Sequence, residues 1–209
     1  MTAILTSPLL SQISWLDHGF GTRAGPLSQN GMASLKQIHS SIALVADRAE
    51  GCAGEGDALL TAEPGITVSI RTADCLPIVL ADPVHRAVAA VHAGWRGTAA
   101  NIAAATLRRM REAFHTDPAH LVAAIGPGIG PCCYEVGEDV ARQFGMEEAG
   151  NLDLAAENVR RLNDAGVPLP QIDLLRGCTF CDAAKFHSWR RDREAAGRMI
   201  SYVGIKPLH

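Results

Sequence analysis

The chain has 209 residues, of which 47% are hydrophobic and 20% charged, with a formal net charge of −3. These are ordinary values for a soluble globular protein, and the length suffices for one domain over residues 1–209 with a substantial core. The charge leaves no electrostatic case for nucleic acid or an anionic membrane. Six cysteines in a chain of this size do not make a disulfide scaffold, so the thiols point to a reducing, cytoplasmic setting. The N-terminus has no basic region, and Thr6, Ser7, Pro8 and Ser11 interrupt its apolar residues. Neither a signal peptide nor a membrane span is expected there.

Residues 1–30 read as short apolar pieces broken by Pro and Gly, with His18-Gly19-Phe20-Gly21-Thr22-Arg23 as a compact polar cluster. A strand is predicted over Ile42–Ala46. Gly51–Gly56 reads as a loop, Asp57–Thr61 resumes order, and Ile66–Ile70 alternates like a half-buried strand. Two apolar runs, Ile78–Ala81 and Ala87–Val91, flank Asp82-Pro83-Val84-His85-Arg86 and predict a buried hairpin. Thr98 is placed to cap a helix in which Ile102, Thr106, Met110 and Phe114 recur at helical spacing. A buried strand over Leu121–Ile125 then runs into the glycine-rich Gly126–Glu135. Short helices are predicted over Glu138–Phe144 and Leu152–Ala165, the second closed by Gly166 as a C′ glycine. Strands over Ile172–Leu175 and Met199–Val203 complete the chain. Strands and helices mix without a regular βαβ rhythm, so the predicted class is α+β.

The hairpin organises the chemistry. Cys75 precedes its first strand and His92 closes its second, and antiparallel pairing sets the start of one beside the end of the other. A thiol and an imidazole on one sheet edge suit a metal site or a nucleophilic pair. His39, near another predicted strand edge, is a third candidate. Zinc takes both donor types, and catalytic zinc sites keep three protein ligands and an open position. Taken singly, each of the three reads more readily as an ordinary core or surface side chain, and their wide separation in sequence supplies no ligand spacing.

Lys36-Gln37-Ile38-His39, Asp57-Ala58-Leu59, Thr72-Ala73-Asp74-Cys75-Leu76-Pro77, His92-Ala93-Gly94-Trp95-Arg96-Gly97 and the run from Gly126 to Gly137 follow one another in order. Cys178-Thr179, Trp189-Arg190-Arg191-Asp192 and Gly197-Arg198-Met199 come after them. This series closely resembles the YfiH/laccase-domain family, once labelled multicopper polyphenol oxidases and later purine nucleoside phosphorylases. The resemblance implies an α-β-β-α sandwich with mixed sheets, similar to toxin-type domains that use a Cys-His pair as a hydrolase. It implies zinc held by His39, Cys75 and His92. It also implies phosphorolysis of adenosine, inosine, guanosine and methylthioadenosine, together with deamination of adenosine. Purine nucleoside and phosphate are then the partners, with a monomer as the default. Relatives carry a longer segment, with a Ser-Leu-Asn element, before the Lys-Gln-x-His motif; here Ser34-Leu35 runs straight into Lys36.

Around the catalytic set His39, Cys75 and His92, Asp74 is a candidate proton shuttle or outer partner of a histidine ligand, with turn capping as the alternative. Arg96 has the planar fork that suits phosphate, or a neighbouring carboxylate. Arg71 lies near Cys75 unless strand alternation turns it away. Asp57 reads either as a substrate-binding carboxylate or as a loop carboxylate that accepts backbone amides. Gly128 belongs to a run that suits an anion nest, though Pro127 and Pro131 remove donors and the run does not match a P-loop. Phe180, Phe186, Trp189 and Tyr134 are candidates for stacking on a purine or for plain packing. Cys178-x-x-Cys181 has the spacing of a redox pair or half a zinc site. No second matching pair accompanies it in sequence, so it reads as structural, and Cys132-Cys133 reads as loop packing. Competing functions are copper-dependent oxidation of phenols, since copper takes the same donors, a metal-stabilised binding module without turnover, and a metal-free Cys75-His92 hydrolase.

Overall fold

The computed structural model describes residues 3–26 and 28–207. The strands in chain order are β1 (Ile4–Leu5), β2 (Leu16–Gly21), β3 (Ala33–Lys36), β4 (Ala43–Val45), β5 (Gly51–Glu55), β6 (Ala58–Thr61) and β7 (Thr67–Thr72). They continue as β8 (Leu76–Asp82), β9 (Ala87–Ala93), β10 (Val122–Ile125), β11 (Glu135–Val136), β12 (Gly150–Asn151), β13 (Ile172–Leu174) and β14 (Met199–Ile205). The helices are α1 (Trp95–Ala99), α2 (Ile102–Phe114), α3 (Glu138–Ala141), α4 (Leu154–Asp164) and α5 (Trp189–Asp192).

Two six-stranded mixed sheets form the body, in the orders β1-β2-β14-β7-β3-β5 and β13-β10-β8-β9-β6-β4. Every residue of β8 and β9 is buried, the pattern of a sheet covered on both faces. Period-2 alternation explains how. Val79, Ala81, Val88 and Ala90 meet Phe20, Val68, Ile70 and Val203 of the first sheet. The intervening Ile78, Leu80, Ala89 and Val91 meet Ile102, Leu107 and Met110 of α2 and Leu154 and Leu162 of α4. The α+β sandwich of two mixed sheets is therefore present as expected, with its two longer helices on the second sheet.

The central hairpin forms in the expected register, with Leu76 opposite Ala93 and Asp82 opposite Ala87. Three local readings change. Gly51–Glu55 is not a loop but β5, paired in parallel with β3 at the sheet edge; Gly51 at φ 88 and Gly54 at φ 138 disguise it as a turn. His18-Gly19-Phe20-Gly21 lies in β2, an inner strand of the first sheet, where the His18 ring is buried and accepts a hydrogen bond from the Ser7 amide at 3.0 Å. Thr98 does not cap α2. It is fully buried in α1 and bonded to Asn158 at 3.0 Å, and the cap is Asn101, in the left-handed region, accepting from the Ala104 amide.

The two sheets approach closely where β10 ends. A Cβ at Gly126 would run into the ring of Phe20, itself fully buried between the layers. Gly126→Ala is expected to destabilise the fold by about 1–3 kcal/mol through overpacking, seen as a lower urea midpoint; an unchanged midpoint would contradict this packing.

Candidate functional site

Strand register assembles the site. β6 pairs with β9 so that Ala58 faces Val91, which sets Asp57 beside His92. The His92 amide donates to the Asp57 carbonyl at 2.7 Å, and His92 Nδ1 lies 2.8 Å from Asp57 Oδ1. Cys75 immediately precedes β8 and lies alongside the end of β9. His39 follows β3 in the left-handed region at φ 59. That conformation is held by Asp57, which also accepts from the backbone amides of Ile38, His39 and Ser40 and from the Ser40 hydroxyl. One buried carboxylate thus fixes both histidines.

The donor atoms of His39, Cys75 and His92 lie within 4.8 Å of one another, and the two imidazole planes meet edge to face at 75°. Because Nδ1 of His92 is engaged by Asp57, Nε2 is the nitrogen left for a ligand, the arrangement typical of metal-binding histidines. Gly94 is needed for clearance: a Cβ there would lie 2.9 Å from Cys75 Sγ and 3.2 Å from His39 Cδ2. Burial alone would raise the Cys75 thiol, but hydrogen bonds from His39 and His92 outweigh it and hold the thiol at about 6. Burial likewise opposes charge on His92, yet Asp57 and Cys75 push it up to about 9. Asp57, despite its own burial, is held at about 2 by His92 and Ser40. An anionic sulfur beside two imidazoles, with the third coordination direction oriented by a carboxylate, fits a three-ligand zinc-type centre.

The triad opens into a cavity of about 790 Å³ whose walls carry Arg71, Arg96, Arg190, Arg193 and Arg198. Three of these stack on aromatic rings that also line the cavity: Arg96 on Trp95 at 4.2 Å, Arg190 on Tyr134 at 5.3 Å and Arg198 on Trp189 at 5.4 Å. Asp74 is the carboxylate of this lining, and both of its oxygens are taken, by the Thr179 hydroxyl at 2.7 Å and the Arg190 amide at 2.6 Å. The cavity is therefore strongly cationic, flanked by ring faces and metal-capable at its floor.

Not every residue named from the sequence faces this cavity. Arg96, Arg71 and Asp74 line it; Arg71 is exposed, and its backbone is anchored by two hydrogen bonds to the Gln37 amide group. Asp57 lies behind His92, fully buried, with both oxygens occupied, which leaves it no contact to offer phosphate. It is the carboxylate that accepts backbone amides. Gly128 is buried against Leu76 and the Asp74 carbonyl, where a Cβ would lie 2.6 and 2.8 Å from them, and it stays outside the cavity lining. Tyr134 and Trp189 line the cavity, while Phe180 and Phe186 stay outside the lining. Arg190, Arg193 and Arg198 were not singled out from the sequence, although two of them stand in the Trp-Arg-Arg-Asp and Gly-Arg-Met motifs. The reading of Cys178-x-x-Cys181 as lacking a matching pair also changes: Cys132 and Cys133 bring their sulfurs within 4.8 Å of it, a meeting of two loops invisible in linear spacing.

Comparison with known proteins identifies the family. The profile of a family described as multi-copper polyphenol oxidoreductase laccase matches residues 21–206. A purine nucleoside phosphorylase of Deinococcus radiodurans is 42% identical in an alignment 183 positions long that covers 83% of this chain and 70% of that protein. Another, of Bacteroides thetaiotaomicron, is 41% identical over 71% of this chain, which spans 60% of that relative's length. Adenosine deaminase RL5, from an unknown prokaryotic organism, is 36% identical over 78% of this chain and 66% of its own. The crystal structure of YlmD from Geobacillus stearothermophilus superposes with a TM-score of 0.89 at 26% identity, covering 98% of this chain and 97% of that one. YfiH of Bacillus licheniformis gives 0.85 at 28% identity, over 92% and 94%. On a profile that spans nearly its whole length and on relatives that bear enzyme names, the chain is an enzyme of the multi-copper polyphenol oxidoreductase laccase, or YfiH, family.

Proposed function

We propose that the chain is a zinc-dependent purine nucleoside phosphorylase, acting on adenosine, inosine, guanosine and methylthioadenosine, that also deaminates adenosine. The observation that carries this reading is the His39–Cys75–His92 triad at the floor of an arginine-walled, aromatic-flanked cavity. The names of the relatives support the same two reactions. Phosphorolysis forms a bond from a phosphate oxygen to the ribose C1′ and breaks the bond from C1′ to purine N9, whose electron pair leaves with the base. Deamination adds water at C6 of adenine and releases ammonia.

Zinc held by the triad would supply Lewis acidity at the open fourth position. The chain's own residues do the rest. Arg96, stacked on Trp95, and Arg71 present guanidinium forks to a phosphate. Trp189, 41% exposed, offers a ring face to a purine. Burial and the Cys75 charge push the Tyr134 phenol up to about 12, so it remains a hydrogen-bond donor to a ring nitrogen. Asp57 keeps His92 in the tautomer that frees Nε2. Asp74, bonded to Thr179 and to the amide of Arg190, holds the cavity wall in place. Free thiols throughout suit the reducing cytoplasm, and among the described residues no helix is long and apolar enough to cross a membrane.

The family description favours a second reading, copper-dependent oxidation of phenols, and nitrogen and sulfur donors accept copper too. Among the described residues, however, histidine enters a single ligand cluster and the other cluster is all cysteine. Among the described residues, one histidine-containing cluster is present where several copper centres would call for more.

Incubating the purified chain with adenosine separates these readings. Adenine and ribose 1-phosphate are expected only with phosphate and inosine without it, both lost on zinc chelation and in His39→Ala. Zinc-loaded protein that turns over no purine nucleoside would contradict the proposal, and oxidation of a phenol by copper-loaded protein would favour the alternative. Arg96→Ala is expected to raise the phosphate KM by about tenfold, while adenosine deamination changes little; equal losses in both reactions would remove Arg96 from phosphate binding. Asp57→Asn is expected to weaken zinc affinity by about 10–100-fold in chelator competition, and an unchanged affinity would refute its orienting role.

A further inference from the structure

We propose that Cys132, Cys133, Cys178 and Cys181 form a second metal site, a tetrathiolate that holds one structural zinc ion apart from the His39–Cys75–His92 centre. The four sulfurs lie within 4.8 Å of one another, with Cys133 Sγ 3.3 Å and Cys132 Sγ 3.7 Å from Cys181 Sγ. Zinc–sulfur bonds of about 2.3 Å in a tetrahedron place neighbouring sulfurs about 3.8 Å apart. A cluster of this span encloses a single ion.

Core packing does not account for the cluster. Cys132 and Cys181 are exposed and the other two only partly buried, whereas cysteines that merely pack are buried. Thiol–thiol contacts are weak hydrogen bonds, too weak to organise two loops at the surface. The backbone around the cluster is instead arranged as in a metal loop. The glycine-rich loop and the 176–186 loop run side by side, Gly128 bridging Cys178 in parallel and the Thr179 amide donating to the Gly128 carbonyl at 3.0 Å. The Gly130 amide points at Cys178 Sγ at 3.3 Å. Such N–H donors spread the charge of a metal-bound thiolate. Gly130 packs closely on the cluster, a Cβ there lying 3.3 Å from Cys178 Cβ and 3.4 Å from Cys132 Sγ. Arg191, paired with Asp192, donates to the Thr179 and Phe180 carbonyls at 2.8 and 2.9 Å and so fixes the backbone of the Cys178–Cys181 loop.

Zinc here would clip together two loops that build one wall of the cavity. Tyr134, next to Cys133, lines that wall, and Thr179, next to Cys178, donates to Asp74 beside the ligand Cys75. The role is structural, because four protein ligands leave no open position.

The test is metal analysis of the full Cys75→Ala chain, purified under reducing conditions, in which the other centre lacks its thiolate. About one zinc per chain is expected there, lost when Cys178→Ser and Cys181→Ser are added; cobalt should replace it with the intense sulfur-to-metal charge-transfer absorption of a tetrathiolate. Should those variants fail to fold, alkylation of the wild-type chain followed by mass spectrometry decides the matter. Cys132, Cys133, Cys178 and Cys181 should resist alkylation until zinc is chelated, while exposed Cys52 reacts throughout. Four thiols as reactive as Cys52 before chelation, a disulfide among them, iron in place of zinc, or zinc retained without Cys178 and Cys181 would each overturn the proposal.

Discussion

A single buried carboxylate sets the geometry on which the site depends. Asp57 is fully buried, stands at the mouth of β6, and gathers hydrogen bonds from three consecutive loop amides, a serine hydroxyl and an imidazole. Buried charge is costly unless paired and hydrogen-bonded, and here every lone-pair direction has a donor. The same bonds that satisfy Asp57 hold His39 in a left-handed backbone conformation that histidine adopts infrequently. Fold stability and site geometry are thus coupled through one side chain. The sheet supplies the rest of the precision, because β6, β8 and β9 are neighbouring strands and their register decides that Asp57, Cys75 and His92 meet.

Around this fixed floor the cavity wall is assembled from distant segments. The β7–β8 connection gives Asp74, the loop after β10 gives Tyr134, and the region around α5 gives Trp189, Arg190 and Arg198. Stacking on aromatic rings limits the rotamers of three arginines, and backbone carbonyls hold two of them further, Glu135 for Arg190 and Ala196 and Gly197 for Arg198. A cation-rich wall held in this way pays little ordering entropy when it binds an anion. The hydrogen bonds of Asp74 to Thr179 and to the amide of Arg190 tie the wall to the floor.

Much of this was legible in the sequence, and the boundary has physical reasons. The apolar runs flanking Asp82–Arg86 announced a buried hairpin because both faces of β8 and β9 are covered, and that hairpin alone put Cys75 and His92 together. His39 carried a weaker signal: it reaches the site through a loop conformation imposed by Asp57, and only its place near a predicted strand edge and its motif pointed to it. β5 was hidden by glycines at positive φ, and the cap of α2 was misread because burial removes the Thr98 hydroxyl from that duty. Between the two roles open to Asp57 the sequence did not decide, since whether a carboxylate faces a cavity or the layer beneath it depends on tertiary packing. The convergence of Cys132 and Cys133 on Cys178 and Cys181 depends on two loops lying side by side, which no spacing rule encodes.

An open three-ligand metal centre at the base of an arginine-walled cavity is the central claim. Anomalous diffraction at the zinc edge, from crystals of the full chain, tests it most directly. An ion bonded to Cys75 Sγ, to Nε2 of His92 and to the His39 imidazole, with its fourth position turned to the cavity and free of protein atoms, is the expected result. No ion between those three side chains, or a fourth protein ligand closing the site, would contradict it.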